Sequence, residues 1–111
     1  SRWFLSPDSS PFGMLFAVLF TDKPGQGQRR AQHLADHIAW VDLHKNQVLV
    51  AGSLRDNPED VPRGGLWVVE AESKAAVMAL VATDPFYTCG LRQGVEVLHW
   101  GKALPDHRAW V

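Results

Sequence analysis

Within 111 residues, of which 46% are apolar and 21% charged, there is material for one globular core, and neither a disordered chain nor a second core fits. A net charge of −1 and the absence of any Lys/Arg run argue against nucleic acid or anionic lipid as a partner. Cys89 stands alone, which excludes an internal disulfide or a thiolate metal cluster and fits a reducing, cytoplasmic setting.

Residues 1–13, SRWFLSPDSSPFG, hold two prolines and four serines and precede Met14. They read as an N-terminal extension or an expression remnant, ordered only if Trp3, Phe4 and Leu5 dock on the domain or on a partner subunit. The domain proper is expected over 14–103, with a C-terminal tail at 104–111. Met14 to Phe20 is a continuous apolar run closed by Thr21-Asp-Lys-Pro-Gly25, the pattern of a strand buried on both faces and then a turn. It is far shorter than the roughly 20 residues of a membrane span and lacks the basic flank of a signal peptide.

From Gln28 to Lys45 there is neither Gly nor Pro, and Ala31, Leu34, Ala35, Ile38 and Val41 recur at helical spacing, which predicts the first helix. A second strand is expected over 47–51, closed by Gly52 and Ser53, and a polar, proline-containing connection over 54–63. Residues 65–71 read as a third strand. Ser73 is a good N-cap for a second helix over 74–82, which Asp84-Pro85 then breaks. Residues 94–100 supply the last strand. The order βαββαβ is the ferredoxin-like, split βαβ arrangement of an α+β fold, two helices on one face of a four-stranded antiparallel sheet. So small a domain leaves much of its surface exposed, and a homodimer is a natural way to cover more of it.

DKPG at 22–25, Arg30 seven residues before His37, HIAW at 37–40, VLVAG at 48–52, GGLWVVEAE at 64–72, DPF at 84–86, GL at 90–91 and VEVLHW at 95–100 resemble, in order and spacing, the YCII-related proteins. The resemblance spans 14–103 and implies a ferredoxin-like subunit that pairs into a dimeric α/β barrel, with a pocket where His37 and Asp84 approach one another. Relatives and fold neighbours act on small oxygenated or chlorinated rings, by isomerisation or by loss of chloride, with no organic cofactor. Two departures stand out: Ser53 where the family usually has Pro after Ala-Gly, and His99 where Pro usually precedes Trp. Both bear on pocket shape, so the substrate does not carry over.

By helical periodicity His37 lies roughly a right angle from the centre of the apolar stripe, where one ring nitrogen can rest on the protein and the other face a cleft. Histidine, with an ordinary pKa of about 6.5, suits a general base, and an aspartate beside it would fix the tautomer and stabilise the imidazolium. Asp84 is the candidate partner, Arg30 a candidate donor to an oxyanion, and Trp40 and Ser53 candidate walls of the substrate pocket. The competing readings are that Asp84 only caps the turn begun by Pro85 and that His37 is a solvated surface residue. His33, His37 and His44 share a helix face within about 40°, but no carboxylate accompanies them in HExxH fashion, so no metal is expected. Arg55 and Arg63 lie where they can close over an anionic ligand, and Cys89 has no base beside it in sequence. Two readings follow: a small cofactor-independent lyase or isomerase, or a non-catalytic dimer that binds a small ligand.

Overall fold

β1 (Met14–Asp22), α1 (Gly27–Leu43), β2 (Val48–Leu54), β3 (Gly64–Ala71), α2 (Lys74–Val81), the single-turn α3 (Pro85–Thr88) and β4 (Arg92–His99) follow one another along the chain. The computed structural model describes residues 13–109 and 111. The docking expected of Trp3, Phe4 and Leu5 lies outside the described residues. The strands form one antiparallel sheet in the order β2-β3-β1-β4, so α1 crosses from β1 to β2 over the intervening β3. This is the ferredoxin-like topology that the alternation of elements predicts. No helix among the described residues is long and apolar enough to cross a membrane.

β1 alternates strictly: Phe16, Val18, Phe20 and Asp22 are buried, while Leu15, Ala17 and Leu19 are only half-buried. The expectation of a strand buried on both faces is therefore corrected for the single chain. The inward face meets Trp67 and Val69 of β3, Val77 and Val81 of α2 and Trp40 of α1 in one core. Among the described residues no helix belongs to the core on the other face. The second helix starts as its cap demands, with Ser73 Oγ accepting from the Ala76 amide at 3.1 Å.

Two register shifts decide which side chains point inward. In β2 the pairing jumps from Val48↔Val69 to Val50↔Val68, which leaves Leu49 outside the ladder and moves Ala51 and Ser53 to the inward face. Gly52 and Ser53 thus lie within β2, which runs on to Leu54 instead of ending at Ala51. Between β1 and β4 the pairing skips from Thr21↔Gly94 to Asp22↔Arg92, so Arg92 turns inward and Gln93 turns out. Simple alternation from Val95, Val97 and His99 would have put Arg92 on the outer face.

The first helix is rotated away from the side its apolar stripe suggests. Its covered side consists of Arg30, His33, His37, Trp40 and His44, with Val41 of the apolar stripe half-buried against the core, while Ala31, Leu34, Ala35 and Ile38 are exposed. About 130° separates the two sets on the helical wheel. The inward polar groups are tolerated because each of Arg30, His37, Trp40 and His44 has a hydrogen-bond partner: Asp22, Asp84, Thr83 Oγ1 and the Trp40 carbonyl, respectively.

Candidate active site

α1 runs over the sheet at an angle that leaves a cavity of about 490 Å³ between it, the end of β2 and the 55–63 connection. Its lining brings together Arg30 and His37 from α1, Ser53 from β2, Arg55 and Val61 from the connection, and Arg92 from β4.

His37 Nδ1 donates to Asp84 Oδ1 over 2.6 Å, and the pair is nearly enclosed: 12% of the His37 side chain and none of the Asp84 side chain is exposed. Asp84 is held from several directions. Its Oδ1 also accepts from the Phe86 amide at 3.3 Å, and its backbone carbonyl accepts from Tyr87 and Thr88. Asp84 is thus the N-cap of α3, with Pro85 at the first helical position, and the partner of His37 at once. The capping and pairing readings of Asp84 are compatible, since one oxygen serves both. The other oxygen, Oδ2, is buried with no hydrogen-bond partner among the described residues.

The His37 ring lies nearly parallel to Phe86, 13° off at 4.0 Å between centroids, and 25° from parallel to Trp67 at 6.4 Å. Stacking and the Asp84 bond hold the ring plane, and Nε2 has no hydrogen-bond partner among the described residues on a side chain that lines the cavity. A pair held this way can take a proton from a ligand hydroxyl and return it elsewhere.

Beside the pair lies a buried ionic cluster. Asp22 Oδ1 accepts from Arg92 at 2.8 Å and Asp22 Oδ2 from Arg30 Nε at 3.3 Å, and Arg30 also reaches the Gly64 carbonyl. Burial pulls the Arg30 guanidinium below its ordinary pKa, and the Asp22 charge opposes that pull. Arg92 lies over Phe20, 4.1 Å from its centroid, and both arginines stand over Phe86. Gly65 serves the close approach of β2 to β3: a Cβ there would sit 2.9 Å from the Gly52 carbonyl, whereas its 3.7 Å to the Arg92 guanidinium would be ordinary contact. Arg92 Nε is buried without a partner among the described residues. Arg30, Arg55 and Arg92 face the cavity, and among the described residues Asp22 is the one carboxylate bonded to them there, so that lining carries an excess of positive charge.

Of the residues singled out from sequence, Arg30, His37, Ser53 and Arg55 line the cavity, and Asp84 supports it from behind. Ser53 Oγ is engaged by Arg55 at 2.6 Å. Trp40 is not in the lining. Its indole is buried, stacked on Trp67 at 5.1 Å and donating to Thr83 Oγ1 at 3.0 Å, so it supports the floor under His37. Arg63 pairs with Asp56 on the surface at 2.9 Å. His44 Nδ1 bonds to the Trp40 carbonyl at 2.7 Å, and the described residues form no group of three metal-ligating side chains. Sequence reasoning missed Asp22 and Arg92 as site residues. Asp22 is visible only as the first residue of DKPG, and Arg92 has no local signal because a bulge brings it inward.

Among solved structures the chain is similar to 5-chloro-2-hydroxyhydroquinone dehydrochlorinase from Burkholderia phenoliruptrix AC1100 in complex with 2,5-dihydroxybenzoquinone, with 32% identity, a TM-score of 0.72 and coverage of 79% of this chain and 94% of that one. It is also similar to an antibiotic biosynthesis monooxygenase-like protein from Bacteriodes thetaiotaomicron VPI-5482, with 17% identity, a TM-score of 0.53 and coverage of 86% and 94%, a likeness that speaks for the fold alone. No curated protein matches the sequence significantly. The model of the YCII-related domain matches residues 14–101, and by that match the chain belongs to the YCII-related family.

Proposed function

We propose that the protein is a small cofactor-independent enzyme, an isomerase or a lyase of the dehydrochlorinase kind, acting on a hydroxylated ring bound as an anion. The observation that carries this reading is the 2.6 Å His37–Asp84 pair opening onto a cavity walled by arginines. His37 Nε2 takes the proton of a ring hydroxyl. Asp84 stabilises the imidazolium, and Arg30 and Arg92 meet the charge that develops on oxygen. Return of that proton to a ring carbon completes an isomerisation. Where the carbon carries chlorine, loss of a further hydroxyl proton breaks the C–Cl bond, and chloride leaves with the bonding pair. The net change is loss of HCl, so no external oxidant is needed. The dehydrochlorinase likeness supports the ring as substrate class.

The half-buried sheet face, with Leu15, Ala17, Leu19, Leu66 and Val68, is taken to be covered by a second copy, giving a dimeric barrel. Light scattering at micromolar concentration tests this, and a monomer would refute it.

The reaction is tested by chloride release from 5-chloro-2-hydroxyhydroquinone. His37→Gln keeps a donor toward Asp84 and is expected to lower the rate by about 10²–10⁴-fold with the fold intact. His37→Ala is the poorer probe, because it leaves the enclosed Asp84 carboxylate without its partner. Binding of 2,5-dihydroxybenzoquinone without turnover of any chlorinated or keto-enol ring would favour a non-catalytic binding protein instead.

A further inference from the structure

The cavity has two unlike walls. One is charged, with Arg30, Arg92 and His37, and the other is apolar, with Ala31, Leu34 and Ile38 of α1 facing Val61 of the connection. Leu34 is 42% exposed, Ile38 57% and Val61 63%, on the side of α1 away from Trp40 and the core. Leu34 and Ile38 are one helical turn apart, with Ala31 in the same row, so they form a continuous strip that begins beside His37 and runs outward. Apolar side chains left open beside a binding cavity mark a place where something apolar goes.

Volume points the same way. At about 490 Å³ the cavity lies within the roughly 300–1,000 Å³ range of pockets that enclose drug-sized ligands. A bare hydroxyquinone has only about ten non-hydrogen atoms, well short of such a ligand. If it sits with its oxygens at Arg30, Arg92 and His37, the strip of Ala31, Leu34, Ile38 and Val61 stays wet. The strip is part of the same cavity as the head-group site, so no separate partner is required to cover it.

We infer that the ligand is an amphiphilic anion: an acidic oxygenated ring at the arginines, carrying an apolar substituent that lies along Leu34 and Ile38 under Val61. The inference rests on the anionic-ring reading of the site given above and adds the substituent to it. Leu34, Ile38 and Val61 become the residues that set specificity, and none of them takes part in proton transfer.

Calorimetric titration of the full chain with 2,5-dihydroxybenzoquinone and its 3-propyl and 3-hexyl derivatives tests this. Affinity is expected to rise with chain length, by up to about fourfold for each methylene removed from water. In Ile38→Asn and in Leu34→Asn, both at exposed positions outside the core and with folding checked by circular dichroism, the hexyl compound is expected to lose most of its advantage over the bare ring. Equal affinity for the three compounds would overturn the inference and leave the anionic-ring reading standing. Failure of all three to bind would overturn both. An alkyl gain that persists in both variants would show that the tail binds elsewhere, and a change of oligomeric mass in Ile38→Asn would assign the strip to a contact between copies. Either result would overturn the inference.

Discussion

β1 joins two ends of the molecule that are built on opposite principles. At its start Phe16 and Val18 are wholly buried among Val69, Val77 and Val81, an apolar packing that needs no partners beyond contact. At its end, roughly 20 Å away by strand rise, Asp22 is buried between Arg30 and Arg92. Burying three charges is expensive, and replacing such a cluster with well-packed apolar groups is often neutral or stabilising. An apolar end that stabilises the domain beside a charged end that does not is the layout of a scaffold carrying a site. Among the described residues the two buried side-chain polar atoms without a partner, Asp84 Oδ2 beside His37 and Arg92 Nε in the ionic cluster, belong to the site and not to the apolar core.

The largest effects are expected from the two ends of β1 themselves. Phe16→Ala should destabilise the domain by about 3–5 kcal/mol in denaturant titration, while the folded fraction binds 2,5-dihydroxybenzoquinone normally. Asp22→Ala should destabilise by a similar amount, about 3–5 kcal/mol, because two enclosed guanidiniums lose their carboxylate. It should also weaken binding of the same compound, since Arg30 and Arg92 are no longer aimed. If the two variants behave alike in binding, the division between the ends is wrong. A smaller effect sharpens the contrast: Ser73→Ala removes the cap of α2, which covers the apolar end, and should cost about 1 kcal/mol with binding unaffected.

Much of the site was legible in the sequence, and for different reasons. His37 stands in a helix without Gly or Pro, at an angle readable from periodicity, and Asp84 is marked by the proline after it. Their pairing across 47 residues came from family resemblance and not from spacing. Ser53 looked like the residue closing β2, and the bulge at Leu49 instead carries it within the strand to the inward face. Trp40 looked like a pocket wall because it shares the His37 side of α1. That side proved to be the packed one, where a large aromatic serves as floor.

The sequence by itself determined the order of the four strands and the two longer helices and the caps at Ser73 and Asp84, because each depends on neighbours within a few positions; the single turn α3 after Pro85 read only as a turn. Tertiary structure alone decided which side of α1 faces the sheet and which strand positions point inward. Hydrophobicity favoured the Ala31–Leu34–Ile38 stripe for the core, but the partners that make Arg30, His37 and Trp40 acceptable inside come from β1, α3 and Thr83. The inward turn of Arg92 depends on a one-residue slip against β1, which moves a side chain from one face of a sheet to the other and leaves no trace in local composition.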